Sequence, residues 1–186
     1  MYSMRILLPA YFIFERKIVY VIMAERRETM TYEETKQKLA EFMEYGDPDA
    51  ASKLVAEYNL PAIALFEESL QIFTEKTIQK HLSNVIFFLN EYSTYYDACT
   101  FEDAWKSLDD FFGYFFIRKC MWSTPATIKS TAASIKKFYK CMVDNQLFDA
   151  RAYDMLTTHI KENMPIWQDE CEAYNNFDED YDFGDF

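Results

Sequence analysis

Residues 73–92, FTEKTIQKHLSNVIFFLNEY, and residues 123–142, STPATIKSTAASIKKFYKCM, are built to one plan. Each opens near a hydroxyl residue suited to cap a helix, continues with Thr-Ile, and repeats apolar side chains at helical spacing until it reaches aromatics. Two such stretches commit the chain to helices, and the rest of the sequence offers no way out of that choice. Three Gly and five Pro in 186 residues leave few places for hairpin turns, while Ala, Leu, Glu, Lys and Met are plentiful. Half of the residues are hydrophobic, enough to bury the core of about one domain. The expectation is an all-α protein, a compact helical bundle with a short helical annex before it and a disordered acidic tail after it.

Four regions follow along the chain. Residues 1–30 form an N-terminal extension whose apolar run, MRILLPAYFIFERKIVYVIM, is split by Pro9 and by Glu15, Arg16 and Lys17 into pieces too short to cross a bilayer. No membrane association is expected. Two readings stand for this region: translation beginning at Met23 or Met30 rather than Met1, or a short strand pair or helix packed on the domain. Residues 31–73 make the annex. Thr31 and Glu34 form a capping box, Gly46 is a stop, Asp47-Pro48 restarts a helix to about Asn59, and Pro61 opens a third segment.

Residues 74–168 make the core module and the helix that follows it. Thr74 caps a helix from Glu75 to about Tyr96, with Ile78, Leu82, Val85, Leu89 and Tyr92 on one face. Thr100 with Asp103 opens the next, striped by Phe101, Trp105, Leu108, Phe112 and Phe115. Thr124 and Pro125 open a third, where Ile128, Ala132, Ile135, Tyr139 and Met142 recur at steps of three and four. Asp149 starts a fourth, which Pro165 is expected to halt. In FFGYFF, residues 111–116, hydrophobics occupy every side but Gly113. A second side must therefore meet the annex, the N-terminal segment or a second copy of the chain, and core burial competes with homo-oligomer formation here. Residues 169–186 have eight acids, no base and no period, and disorder is expected there.

A net charge of −12 argues against an ordinary duplex binder, because affinity for DNA comes largely from lysine and arginine displacing counterions. The distribution softens the objection. Residues 31–69 carry nine acids against three bases, whereas residues 70–148 carry nine bases against eight acids. Lys129, Lys136 and Lys140 share one face of the third core helix with Lys137 beside it, and Lys76 and Lys80 make a second pair. A solvated helix face and a phosphate-contacting surface both account for this pattern. No array of Arg, Asn or Gln suited to reading bases accompanies it.

Catalytic and metal-binding patterns are missing from the sequence. Cys99, Cys120, Cys141 and Cys171 form no C-x-x-C pair, and His81 and His159 lie far from them, so no metal or other cofactor is expected. The thiols read as buried and reduced in a cytoplasmic protein. There is no Gly-rich phosphate loop, G-x-S-x-G elbow or H-E-x-x-H helix, and adjacent acids such as Glu67-Glu68 project in different directions. A non-enzymatic protein is expected.

The order Thr74, Glu75, Lys76, Thr77, Ile78, running on to Phe88 and Leu89, and then Thr127, Ile128, Ala132, Phe138 and Tyr139, resembles the SAM-like core-binding domain at the N-terminus of phage integrases and other tyrosine recombinases. The likeness covers about residues 70–145. It implies a SAM-like helical fold and loose clamping of double-stranded DNA, here through Lys76, Lys80, Lys129, Lys136, Lys137 and Lys140. The recombinase chemistry departs from the pattern, because His81 is followed by Leu-Ser-Asn and His159 by Ile-Lys-Glu, which leaves no H-x-x-R. The resemblance therefore implies a stand-alone clamp, regulator or decayed fragment. In its acidity and Phe186, the tail is similar to the partner-docking tail of bacterial single-stranded-DNA-binding proteins, which implies a basic protein partner engaged through Phe183 and Phe186. A protein-interaction module that has lost DNA binding is the second reading.

Overall fold

The computed structural model describes residues 30–179, and Phe183, Phe186 and the expectations for residues 1–29 lie outside them. Among the described residues every regular element is helical and no strand occurs. The all-α expectation holds.

The annex is α1 (Tyr32–Glu44) and α2 (Pro48–Ser69). α1 ends where Gly46 adopts φ 70°, which lets the Asp47 N–H reach the Phe42 carbonyl (2.9 Å) and the Gly46 N–H reach that of Met43 (3.2 Å). Asp47 then caps α2 by accepting from the Ala50 N–H. Contrary to expectation, Pro61 does not open a new helix but lies inside α2. A proline there costs ~3 kcal/mol or more. The helix persists because Asn59, Ala62, Ile63 and Phe66 on either side of it are buried. The annex does not stand apart. Leu39, Ala51 and Val55 make a small cluster of their own, but Phe66 meets the Phe138 ring edge-on (centroids 5.5 Å) in the main core.

α3 (Glu75–Ile86) gives way to a π-helical turn, Phe87–Glu91, and a 3-10 turn, Tyr92–Thr94. The widened turn buries Phe88 and Leu89 together, and the Ser93 hydroxyl donates to the Phe88 carbonyl five residues back. The expected second core helix is a ribbon of short pieces: α4 (Phe101–Ala104), a 3-10 turn (Trp105–Ser107), α5 (Leu108–Asp110), a π turn (Phe111–Phe115) and α6 (Phe116–Lys119). These irregular turns bury Phe111, Phe112, Phe115 and Phe116 at once, more than one stripe of a regular helix presents. The second side of the aromatic run meets the last helix, where Phe112 lies against Trp167 (centroids 4.9 Å).

α7 (Pro125–Asp144) begins with the capping box of Thr124 and Thr127 and buries Ile128, Ala132, Ile135, Phe138, Tyr139 and Met142, the stripe read from the sequence. α8 (Ala150–Glu179) starts with Asp149 accepting from the Ala152 N–H and runs antiparallel to α7. Two expectations fail here: Pro165 does not halt the helix, and residues 169–179 are helical rather than disordered. Ile160, Trp167 and Cys171 are buried on one side while Pro165 faces outward. Gln168 donates to the Pro125 carbonyl (2.8 Å) and Asn175 to that of Ser123 (3.0 Å), so tertiary bonds carry the helix into the acidic segment. Among the described residues no helix is long and apolar enough to cross a membrane.

Candidate phosphate-binding groove

The stripe that α7 buries dictates where its lysines go. With Ile135, Phe138, Tyr139 and Met142 inward, Lys136, Lys137 and Lys140 fall on the outer flank, and α8 passes beside them with Tyr153, Thr157, Thr158 and Lys161 at one-turn spacing. Together with Ala133 and His81 of α3, these residues line an open groove of about 680 Å³. The lining includes four lysines and no carboxylate.

The groove wall is tied down on the α3 side. Nδ1 of His81 lies 2.9 Å from the Ser134 hydroxyl, which accepts from Asn84 (3.0 Å) and lies 3.1 Å from the Ser130 carbonyl oxygen. Ser134 is fully buried, so the imidazole is held by a polar group that has no access to water. Burial first, then the charges of Lys137 and Lys80, holds the His81 pKa below its ordinary value. Phe73 supplies an aromatic rim, with the Lys137 ammonium 4.8 Å from its ring centre and the His81 ring 6.3 Å away. Lys140 forms an ion pair with Asp144, and that hydrogen bond raises its pKa. Both partners are exposed, so the pair is worth little and opens readily to a competing anion.

Of the six lysines singled out from the sequence, Lys136, Lys137 and Lys140 come together in this groove. Lys76, Lys80 and Lys129 do not line it, although Lys80 is close enough to act on His81. Among the described residues, Lys140 alone of the six is ion-paired with a carboxylate. Sequence reasoning missed Lys161, His81 and the Tyr153, Thr157 flank. The pattern 153, 157, 161 was visible as a one-turn repeat, but its partnership with α7 depended on how two helices align.

A second, smaller depression of about 390 Å³ near the start of α8 mixes Arg151 with Asp154 and Glu162. There His159 pairs with Asp109 across to α5 (3.0 Å). Opposite charges side by side make it a poor anion site. Among the described residues no group of three or more His, Cys, Asp or Glu side chains could hold a metal ion. Compared with known protein families, curated proteins and solved structures, the chain matches none of them.

Proposed function

We propose that this chain is a non-catalytic nucleic-acid-binding module that holds the phosphate backbone of duplex DNA loosely and without sequence preference. The observation that carries the reading is the gathering of Lys136, Lys137, Lys140 and Lys161 along one groove whose lining has no carboxylate, with Asp144 beside it on Lys140, in a chain of net charge −12. Phosphate contacts of this kind position a backbone and do not read bases. The resemblance of residues 70–145 to the core-binding domain of tyrosine recombinases supports the same reading and suggests an accessory or remnant of a mobile-element system. Cytoplasmic placement fits the four free cysteines, of which Cys120, Cys141 and Cys171 are buried.

Fluorescence anisotropy with a labelled duplex at low salt tests this. Four phosphate contacts predict a slope of log K against log salt of roughly −3.6. The Lys136→Glu, Lys161→Glu double variant should abolish binding, while Lys76→Glu and Lys129→Glu should leave most of it. Absence of binding by the intact chain at low salt, or equal loss in all these variants, overturns the proposal. The second reading, an interaction module for a basic protein, is favoured by the nine acids against three bases of residues 31–69. It predicts a complex that survives nuclease treatment.

A further inference from the structure

A second surface lies away from the groove, around the C-terminal half of α8. Its floor is Phe87 and Phe115, whose ring centres are 6.1 Å apart. Tyr95 and Tyr96 stand edge to face on Phe115 at one side, and Trp122 meets Phe87 (6.0 Å) at the other. These outer rings stay open to solvent, Trp122 at 55% and Tyr95 at 53% of full exposure. Two cations sit among them. Arg118 lies over Tyr114 (4.7 Å) and Tyr174 (5.4 Å), and Lys119 over Tyr95 (6.0 Å). Among the described residues neither cation is paired with a carboxylate. Exposed rings interleaved with unpaired cations suit an occupant that carries both acids and aromatic side chains.

Residues 180–186, DYDFGDF, have that chemistry, with three aspartates and three aromatics in seven positions. They continue directly from α8, which contacts this surface through Tyr174 on Arg118 and Asn175 on Ser123. Fully extended, seven residues reach roughly 24 Å. The lysine groove is out of range by the same measure, since Lys161 lies about 27 Å of helix before Glu179 at ~1.5 Å per residue. We infer that the segment Asp180–Phe186 of this chain docks on the surface formed by Tyr95, Tyr96, Arg118, Lys119 and Trp122, with its aspartates on the two cations and its aromatic rings on the exposed ones. The inference is independent of the groove and of any nucleic acid.

Acrylamide quenching of Trp122 in the full chain tests it, with Trp122→Phe as the reference that subtracts Trp105 and Trp167. The change of Asp180, Asp182 and Asp185 to Lys should raise the Trp122 quenching constant about two-fold, and adding Arg118→Glu with Lys119→Glu should bring it back, as coupled charges require. High salt should raise it in the unmodified chain, without any substitution. The proposal is overturned if charge reversal and salt both leave Trp122 unchanged, or if the reciprocal reversal restores nothing. Protection that fades on dilution overturns it in favour of docking by a second copy.

Discussion

The N–H of Phe101 donates to the side-chain oxygen of Asn59, 3.2 Å away and 42 residues earlier in the chain. Thr100, the residue before it, has the local sequence of a helix cap, yet its buried hydroxyl bonds to nothing. A residue of α2 thus satisfies the first turn of α4. The amide nitrogen of Asn59 also donates to the Leu89 carbonyl (3.2 Å) and to Asn90 (3.1 Å), so one fully buried side chain joins three elements.

Asn59→Ala strands two buried backbone groups at ~1–3 kcal/mol each, so a loss of about 3 kcal/mol is expected. A urea melt of the variant checks it. A loss below about 1 kcal/mol would show that water replaces the amide.

Gln146 ends α7 with φ 61°, a conformation a side chain resists, while its N–H reaches the Val143 carbonyl (3.0 Å) and the Leu147 N–H reaches that of Met142 (2.8 Å). Gln146→Gly keeps these bonds and removes the clash of Cβ with the backbone. The variant should gain about 1 kcal/mol, read as a raised melting temperature.

Residues 169–179, expected to be disordered, instead continue α8 and pack on the start of α7. Deletion from residue 169 onward removes the buried Cys171 and the bond from Asn175 to Ser123, a cost of about 2 kcal/mol or more. Deletion from residue 180 onward should leave the melting temperature within about 2 °C of the full chain. Equal destabilisation by both cuts would contradict the role assigned to the end of α8.

His81 couples the groove to pH. Its pKa in the folded chain is lowered from 6.5, so the unfolded chain takes up this proton first as pH falls. The stability His81 contributes above pH 6.5 is therefore lost as pH drops from there through the lowered folded value. His81→Gln should shrink the fall in urea midpoint between about pH 7.5 and about pH 5. A phosphate in the groove favours protonated imidazole, so duplex affinity should rise over the same descent and do so less in the variant.

Where capping residues and apolar periodicity agree, helix starts and buried faces were legible from local information. Thr124 with Thr127, Asp47 with Pro48, Gly46 and the stripe from Ile128 to Met142 act within one or two turns, where capping bonds and periodicity decide the outcome. The two prolines misled for the same reason. Pro61 and Pro165 oppose a helix locally, and only the burial of Phe66 or Trp167 against distant residues outweighs that cost. Helical spacing put the lysines of α7 on one face but gave no means of pairing them with Lys161.

What the sequence by itself determined is an all-helical chain with an apolar interior and lysines on the outer flank of α7. Tertiary structure alone decided that Asn59 rather than Thr100 serves α4, that α8 continues to Glu179, and that Lys161 and His81 join Lys136, Lys137 and Lys140. Each of those outcomes rests on a contact between residues tens of positions apart. The free energy of such contacts depends on how helices align, which no window of a few turns contains.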